Sequence, residues 1–198
     1  MDMERGTFLV KTARKVIEEF VKSGNKYEPK GYPKVFDTKG GVFTTIHMHP
    51  NHELRGCIGY PEPVMSIMKA VTESAVSVTR DPRFPPLSGE ELDKIVVEVS
   101  VLTEPELIDV KDPKEYPKNI KIGQDGLVIE KGFNHGLLLP QVPVEWKWDA
   151  EEFLANLCMK AGLPSDMWLE SGVKIYRFQS EIFSEKSPRG EIVKEEVK

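Results

Sequence analysis

Cysteine is scarce: the chain of 198 residues has two, Cys57 and Cys158. With no CxxC pair and no metal-knuckle spacing, the disulfide framework of a small secreted scaffold is excluded, and a reduced cytoplasm is the expected compartment. Long apolar runs are missing too. The most apolar stretch, Gly136 to Val144, is broken by Pro140 and Pro143, whereas a bilayer-spanning helix needs roughly 20 apolar residues, so no membrane partner is expected. Met1-Asp2-Met3-Glu4-Arg5 lacks the basic start and apolar core of a secretory signal. Positive charge is in deficit, the net charge being -5 and the pI near 5.5. Nothing therefore draws the chain as a whole to nucleic acid or anionic lipid, and a local patch of Arg55, Arg80 and Arg83 is the one route left to nucleic acid. No glycine-rich phosphate loop occurs, and no cofactor is expected.

What is present is a globular composition, 39% hydrophobic and 30% charged, in a length that suits one domain with a lobe better than two domains. Phe8, Leu9, Ala13, Val16, Ile17, Phe20 and Val21 recur at helical spacing and Gly24 ends the run. Val42 to Met48 and Leu54 to Ile58 predict a β-hairpin around His49-Pro50-Asn51-His52. Pro61 and Pro63 predict the start of a helix with Val64, Ile67, Met68, Val71, Ala75 and Val78 on its apolar stripe, closed by Asp81-Pro82. Ser88 and Glu91 form a capping box, and Ile95 to Leu102 reads as a central strand. The stretch from Glu104 to Asn119, with Pro105, Pro113 and Pro117, reads as an irregular connection and a possible lobe boundary.

Gln124-Asp125-Gly126 predicts a hairpin turn between Ile120 to Gly123 and Leu127 to Glu130, and Gly132 to Gly136 turns into the apolar run Leu137 to Leu139 to complete a small meander. Asp149 with Glu152 caps a helix carrying Phe153, Leu154, Leu157, Cys158 and Ala161 inward. Val173 to Phe183 predicts a closing strand, and residues 185–198 a charged, frayed tail. Without a strict βαβ rhythm, the fold class is α+β, a largely antiparallel sheet flanked by helices, with a second smaller subdomain.

Chemistry concentrates around Leu54-Arg55-Gly56-Cys57-Ile58-Gly59. Strand alternation puts Arg55 and Cys57 on one face, and Gly56 and Gly59 remove side chains that would crowd the thiol. A nearby helix N-terminus together with Arg55 is the setting that activates a cysteine, while burial as a small hydrophobe is the structural alternative. Arg83 follows Asp81-Pro82 on a loop stiffened by Phe84-Pro85-Pro86, which suits a guanidinium presented to an anion or one paired with Asp81. Glu98, among apolar neighbours on its strand, is a candidate base or an ion-pair partner of Arg55 or Arg83. His135 is a candidate general base in a glycine-bounded turn, or an exposed turn residue. His47, His49 and His52 cluster at the hairpin, where exposure favours a solvated tip over a metal site, and no metal is assigned. Trp146 and Trp148 with Phe153 are expected to pack the following helix.

Five segments in order, Leu54 to Gly59, Asp81 to Leu87, Val97 to Thr103, Gly136 to Val142 and Lys160 to Pro164, resemble the AMMECR-one family. The resemblance spans nearly the whole chain. It implies an α+β fold of two subdomains, the larger on an antiparallel sheet, and a cytoplasmic setting. It implies no reaction, and transfers the signature positions Arg55, Gly56, Cys57, Gly59, Asp81, Arg83, Phe84, Pro85 and Pro86 only. The expected function is an enzyme or ligand-processing domain. In it Cys57, Glu98 and His135 are catalytic candidates, and Arg55, Gly56, Gly59, Asp81 and Arg83 bind an anionic small molecule. The alternative is a binding module for a protein or anionic ligand.

Overall fold

The computed structural model describes residues 1–195, arranged as two compact units: residues 1–102 with 181–195, and residues 103–180. In the first unit, α1 (Met3–Ser23) follows the apolar period. Asp2 caps it by accepting from the Arg5 amide, and Gly24 closes it at φ 74°. A side chain there would strain the left-handed backbone, so glycine makes the stop. The hairpin forms as read from β1 (Val42–Met48) and β2 (Glu53–Tyr60). α2 (Ile67–Val78) starts later than Pro61 and Pro63 suggest, because the Ser66 side chain accepts from the Lys69 amide, and Val64 stays exposed before the cap.

β3 (Ile95–Leu102) runs antiparallel to β1. Within this unit the strand order is β2-β1-β3, so β2 is an edge strand on the hairpin side. One face of these strands, with Val42, Ile46, Val97 and Val99, packs against Leu9, Val10, Ala13 and Ile17 of α1 and Met68, Val71 and Ala75 of α2. The other face carries Phe43, Thr45, His47, Val96, Glu98 and Ser100, as alternation from the core face requires. A buried ion pair fixes α1: Arg14 binds the Glu185 carboxylate and donates to the carbonyls of Leu92 (3.1 Å) and Ile95 (2.8 Å).

The second unit holds β4 (Glu106–Leu107), β5 (Asp125–Lys131), β6 (Asn134–Leu138), α3 (Gln141–Trp146), α4 (Ala150–Lys160) and the first part of β7 (Lys174–Glu185). Its strand order is β4-β7-β5-β6, all antiparallel. Ile120–Gly123 is not a strand. The Asp125 carboxylate accepts from the Lys121 amide at 2.9 Å and closes that segment into a turn, while the reversal at Gly132 forms and joins β5 to β6. Leu127, Ile129, Phe153, Leu154, Leu157 and Ile175 form its core, with Cys158 fully buried. Trp148 packs against this core, whereas Trp146 is 68% exposed and stacks on Trp148.

The segment expected to fray contains β8 (Ile192–Glu195). It pairs with Ile182 to Glu185 of β7 because Ile192 is buried beside them and Ser184 donates to Glu195; residues 196–198 lie outside the described residues. Among the described residues no helix is long and apolar enough to cross a membrane. The fold is α+β with a largely antiparallel sheet and flanking helices, as the sequence predicts.

Candidate functional site

Cys57 lies opposite Thr45 on β1, and Thr45 lies opposite Glu98 on β3. Directly opposed residues project to the same side, so thiol, hydroxyl and carboxyl form one row across three strands. Thr45 Oγ1 donates to Cys57 Sγ at 3.3 Å. His47, two residues along β1, places Nε2 4.0 Å from the Glu98 carboxylate. The sequence does not single out Thr45, and it brings up His47 only within the histidine cluster of the hairpin. Their signal was the alternation of β1 together with its pairing, and the pairing is a tertiary fact.

Electrostatics divides the row. Burial pushes the Cys57 thiol up, opposed by the Thr45 hydrogen bond and reinforced by the charge of Glu98. The thiol is therefore protonated at neutral pH, contrary to an activated thiolate. Burial, aided by repulsion from Glu195, pushes Glu98 up to about 7. Burial also holds His47 below the ordinary imidazole range, so its contact with Glu98 is not a fixed ion pair.

A second group sits at the free edge of β2. Asp81 is 2% exposed, and one carboxylate oxygen accepts from the Cys57 amide at 2.9 Å while Arg83 Nη2 donates to the Cys57 carbonyl at 3.1 Å. Arg83 closes the arrangement on Asp81 through Nε at 3.0 Å and Nη2 at 2.7 Å. Two side chains thus take the donor and acceptor positions that a further strand would occupy. The Arg83 guanidinium and the Cys57 amide hold Asp81 well below the usual carboxylate range. Asp81 is consumed by this clamp and presents no oxygen to a ligand. Arg83 keeps Nη1 outside the clamp, and its side chain is 55% exposed.

Alternation does not place Arg55 beside Cys57. The register slips between Ile46 and His47, so Leu54 faces His47 and Arg55 is the extra residue of a bulge. Its guanidinium turns to Glu91, at 2.7 Å, and to the Pro85 carbonyl, at 2.9 Å. The glycines also serve differently from the expectation of an open face. A Cβ at Gly56 would lie 2.9 Å from the Val78 carbonyl oxygen, and one at Gly59 would strike the Phe43 ring. Gly56 lets α2 approach β2, and Phe43 fills the space over Gly59.

His135 lies on β6 of the second unit, exposed and opposite Glu130. Arg80 stacks over Phe20, so the arginines of the imagined nucleic-acid patch all face partners within the chain. Among the described residues no three or more His, Cys, Asp or Glu side chains gather to hold a metal.

The AMMECR1 family profile matches residues 10–183. The protein MJ0810 of Methanocaldococcus jannaschii is 59% identical over all of this chain and 98% of its own length. PYRAB00100 of Pyrococcus abyssi is 55% identical over 96% of this chain and 94% of its own. The crystal structure of the uncharacterized protein PH0010 from Pyrococcus horikoshii superposes with a TM-score of 0.82 at 52% identity, covering 98% of both chains.

Proposed function

The chain belongs to the AMMECR1 family, and from that premise we propose that the polar face of its first sheet is a reaction surface, where Cys57 and Glu98 act from either side of Thr45 in group transfer to sulfur. The observation that carries this reading is the row itself: a protonated thiol and a carboxyl titrating at about 7, one strand to each side of a small hydroxyl residue. Strands lie about 4.8 Å apart, so the two Cβ atoms are roughly 10 Å apart, and a small molecule over Thr45 reaches both.

A thiol pushed up by burial is a poor nucleophile until a base takes its proton. Glu98 has the strength for that near neutrality, where half of it is carboxylate. In acyl transfer the Cys57 proton passes to Glu98 through a water over Thr45, sulfur bonds to the carbonyl carbon, and the leaving group departs with the proton that Glu98 returns by the same route. The free Nη1 of Arg83 supports an anionic group on the substrate. Asp81 and Arg55 hold the scaffold. A cytoplasmic setting agrees with a free thiol.

Glu98→Gln decides the role of the carboxyl, because its two possible effects have opposite sign. If Glu98 only repels the thiolate, removing its charge lowers the Cys57 pKa and iodoacetamide alkylation near neutral pH becomes faster. A base makes the same variant slower. The expected result is a slowing of roughly tenfold or more, within the usual reach of general base catalysis. Faster alkylation with intact fold would leave Cys57 as a small residue permitting close approach, in a binding module.

A further inference from the structure

The inward face of the second unit's sheet changes character along its length. Ile175 faces Ile129, then Arg177 faces Leu127, then Gln179 faces Asp125. The first of these pairs belongs to the core and the last is polar. Where the apolar covering ends there is a hollow of about 240 Å³, lined by Thr103, Glu106, Lys121, Asp125, Arg177 and Gln179, with Phe178 at its wall.

Its polar groups are built in. Asp125, 1% exposed, accepts from the Lys121 amide at 2.9 Å and from Gln179 Nε2 at 3.1 Å, which fixes the 121–125 turn beside the hollow. The Gln179 amide donates to Thr103 Oγ1 at 2.8 Å, so the threonine's own proton points elsewhere. The cations, by contrast, are loosely held. Arg177 reaches the Asn119 carbonyl only at 3.5 Å and Glu106 only at 3.6 Å, and Glu106 is itself 74% exposed. Lys121 has no ion-pair partner among the described residues. Asp125 lines the hollow with both of its carboxylate oxygens already accepting, one from the Lys121 amide and one from Gln179.

We propose that this hollow, with Arg177, Lys121 and the Thr103 hydroxyl as donors, binds the oxyanion group of a small metabolite. A guanidinium fork beside an ammonium matches the oxygens of a carboxylate or phosphate. The size selects a short molecule, since sites for drug-sized ligands occupy about 300–1,000 Å³. This site stands apart from the chemistry assigned to Cys57, and its failure leaves that assignment untouched.

The test is a titration of isotope-labelled protein, followed by amide NMR, with inorganic phosphate in one arm and propionate in the other. Sodium chloride at equal ionic strength is the control. Saturating shifts in residues 121–125 and 177–179 are expected with at least one oxyanion, and the arm that saturates identifies the group. Arg177→Gln is expected to weaken binding roughly ten- to hundredfold, the worth of one charge-assisted hydrogen bond. Lys121→Gln, at an exposed side chain that leaves the core untouched, is expected to weaken it in the same direction. Shifts equal to those of chloride, or binding unchanged in Lys121→Gln, overturn the proposal.

Discussion

Among single residues, Glu98 makes the sharpest prediction, because its environment acts on stability as well as reactivity. A carboxyl raised in the folded chain takes up a proton more readily folded than unfolded. It therefore favours folding below its unfolded pKa, and this contribution is lost as pH climbs from about 4.5 to about 7. Wild-type stability in urea should accordingly decline between about pH 5 and pH 7.5, by an amount on the order of 1–3 kcal/mol. Glu98→Gln, which cannot ionise, should remove that slope. Asp81 works in the opposite sense and elsewhere: Arg83 holds it low, so its contribution is present above about pH 4 and lost only as the pH falls further. Equal slopes in the wild type and Glu98→Gln between pH 5 and pH 7.5 would show that Glu98 is not the titrating group.

At the scale of the element, β2 depends on side chains for one of its neighbours. Asp81→Asn keeps the shape but turns an acceptor into a partial donor and removes the charge that holds Arg83. Unfolding free energy is expected to drop by about 1–3 kcal/mol, with hydrogen exchange at the Cys57 amide accelerated. An unchanged exchange rate would mean that the clamp is not what protects this edge. The elements themselves were largely legible. Helical period and caps located α1 and α4, β-branched and apolar runs bounded by turn residues located β1, β2 and β3, and the Ser88–Glu91 capping box is present. The errors have local causes. Serine outcompeted proline for the start of α2, and a side-chain turn at Asp125 stands where the strand 120–123 was expected. Around the thiol, the sequence brought Arg55, Cys57, Asp81, Arg83 and Glu98 into view. It did not reveal that Arg55 falls in a bulge, that Asp81 binds the backbone, or that Thr45 lies between Cys57 and Glu98 across three strands. Each of these depends on which strands meet, and a single chain read in one dimension carries no register.

The molecule as a whole has two hydrophobic cores, one in each unit. Leu154, fully buried in the second, is the point at which to perturb that core alone. Leu154→Ala is expected to cost about 2–5 kcal/mol through lost packing and the cavity it leaves. Amide exchange should rise across residues 103–180 more than in β1, β2 and β3. A uniform rise over the whole chain would instead indicate one cooperative block.

The clamp on β2 also bears on how the protein behaves in a crowd of its own copies. An uncovered strand rim invites another chain to add itself, and repeated addition is a route to insoluble fibres. Here the thiol-bearing residue offers a newcomer neither a vacant amide hydrogen nor a vacant carbonyl, since a carboxylate and a guanidinium already occupy both. Asp81 and Arg83 thereby close this rim to self-association at Cys57.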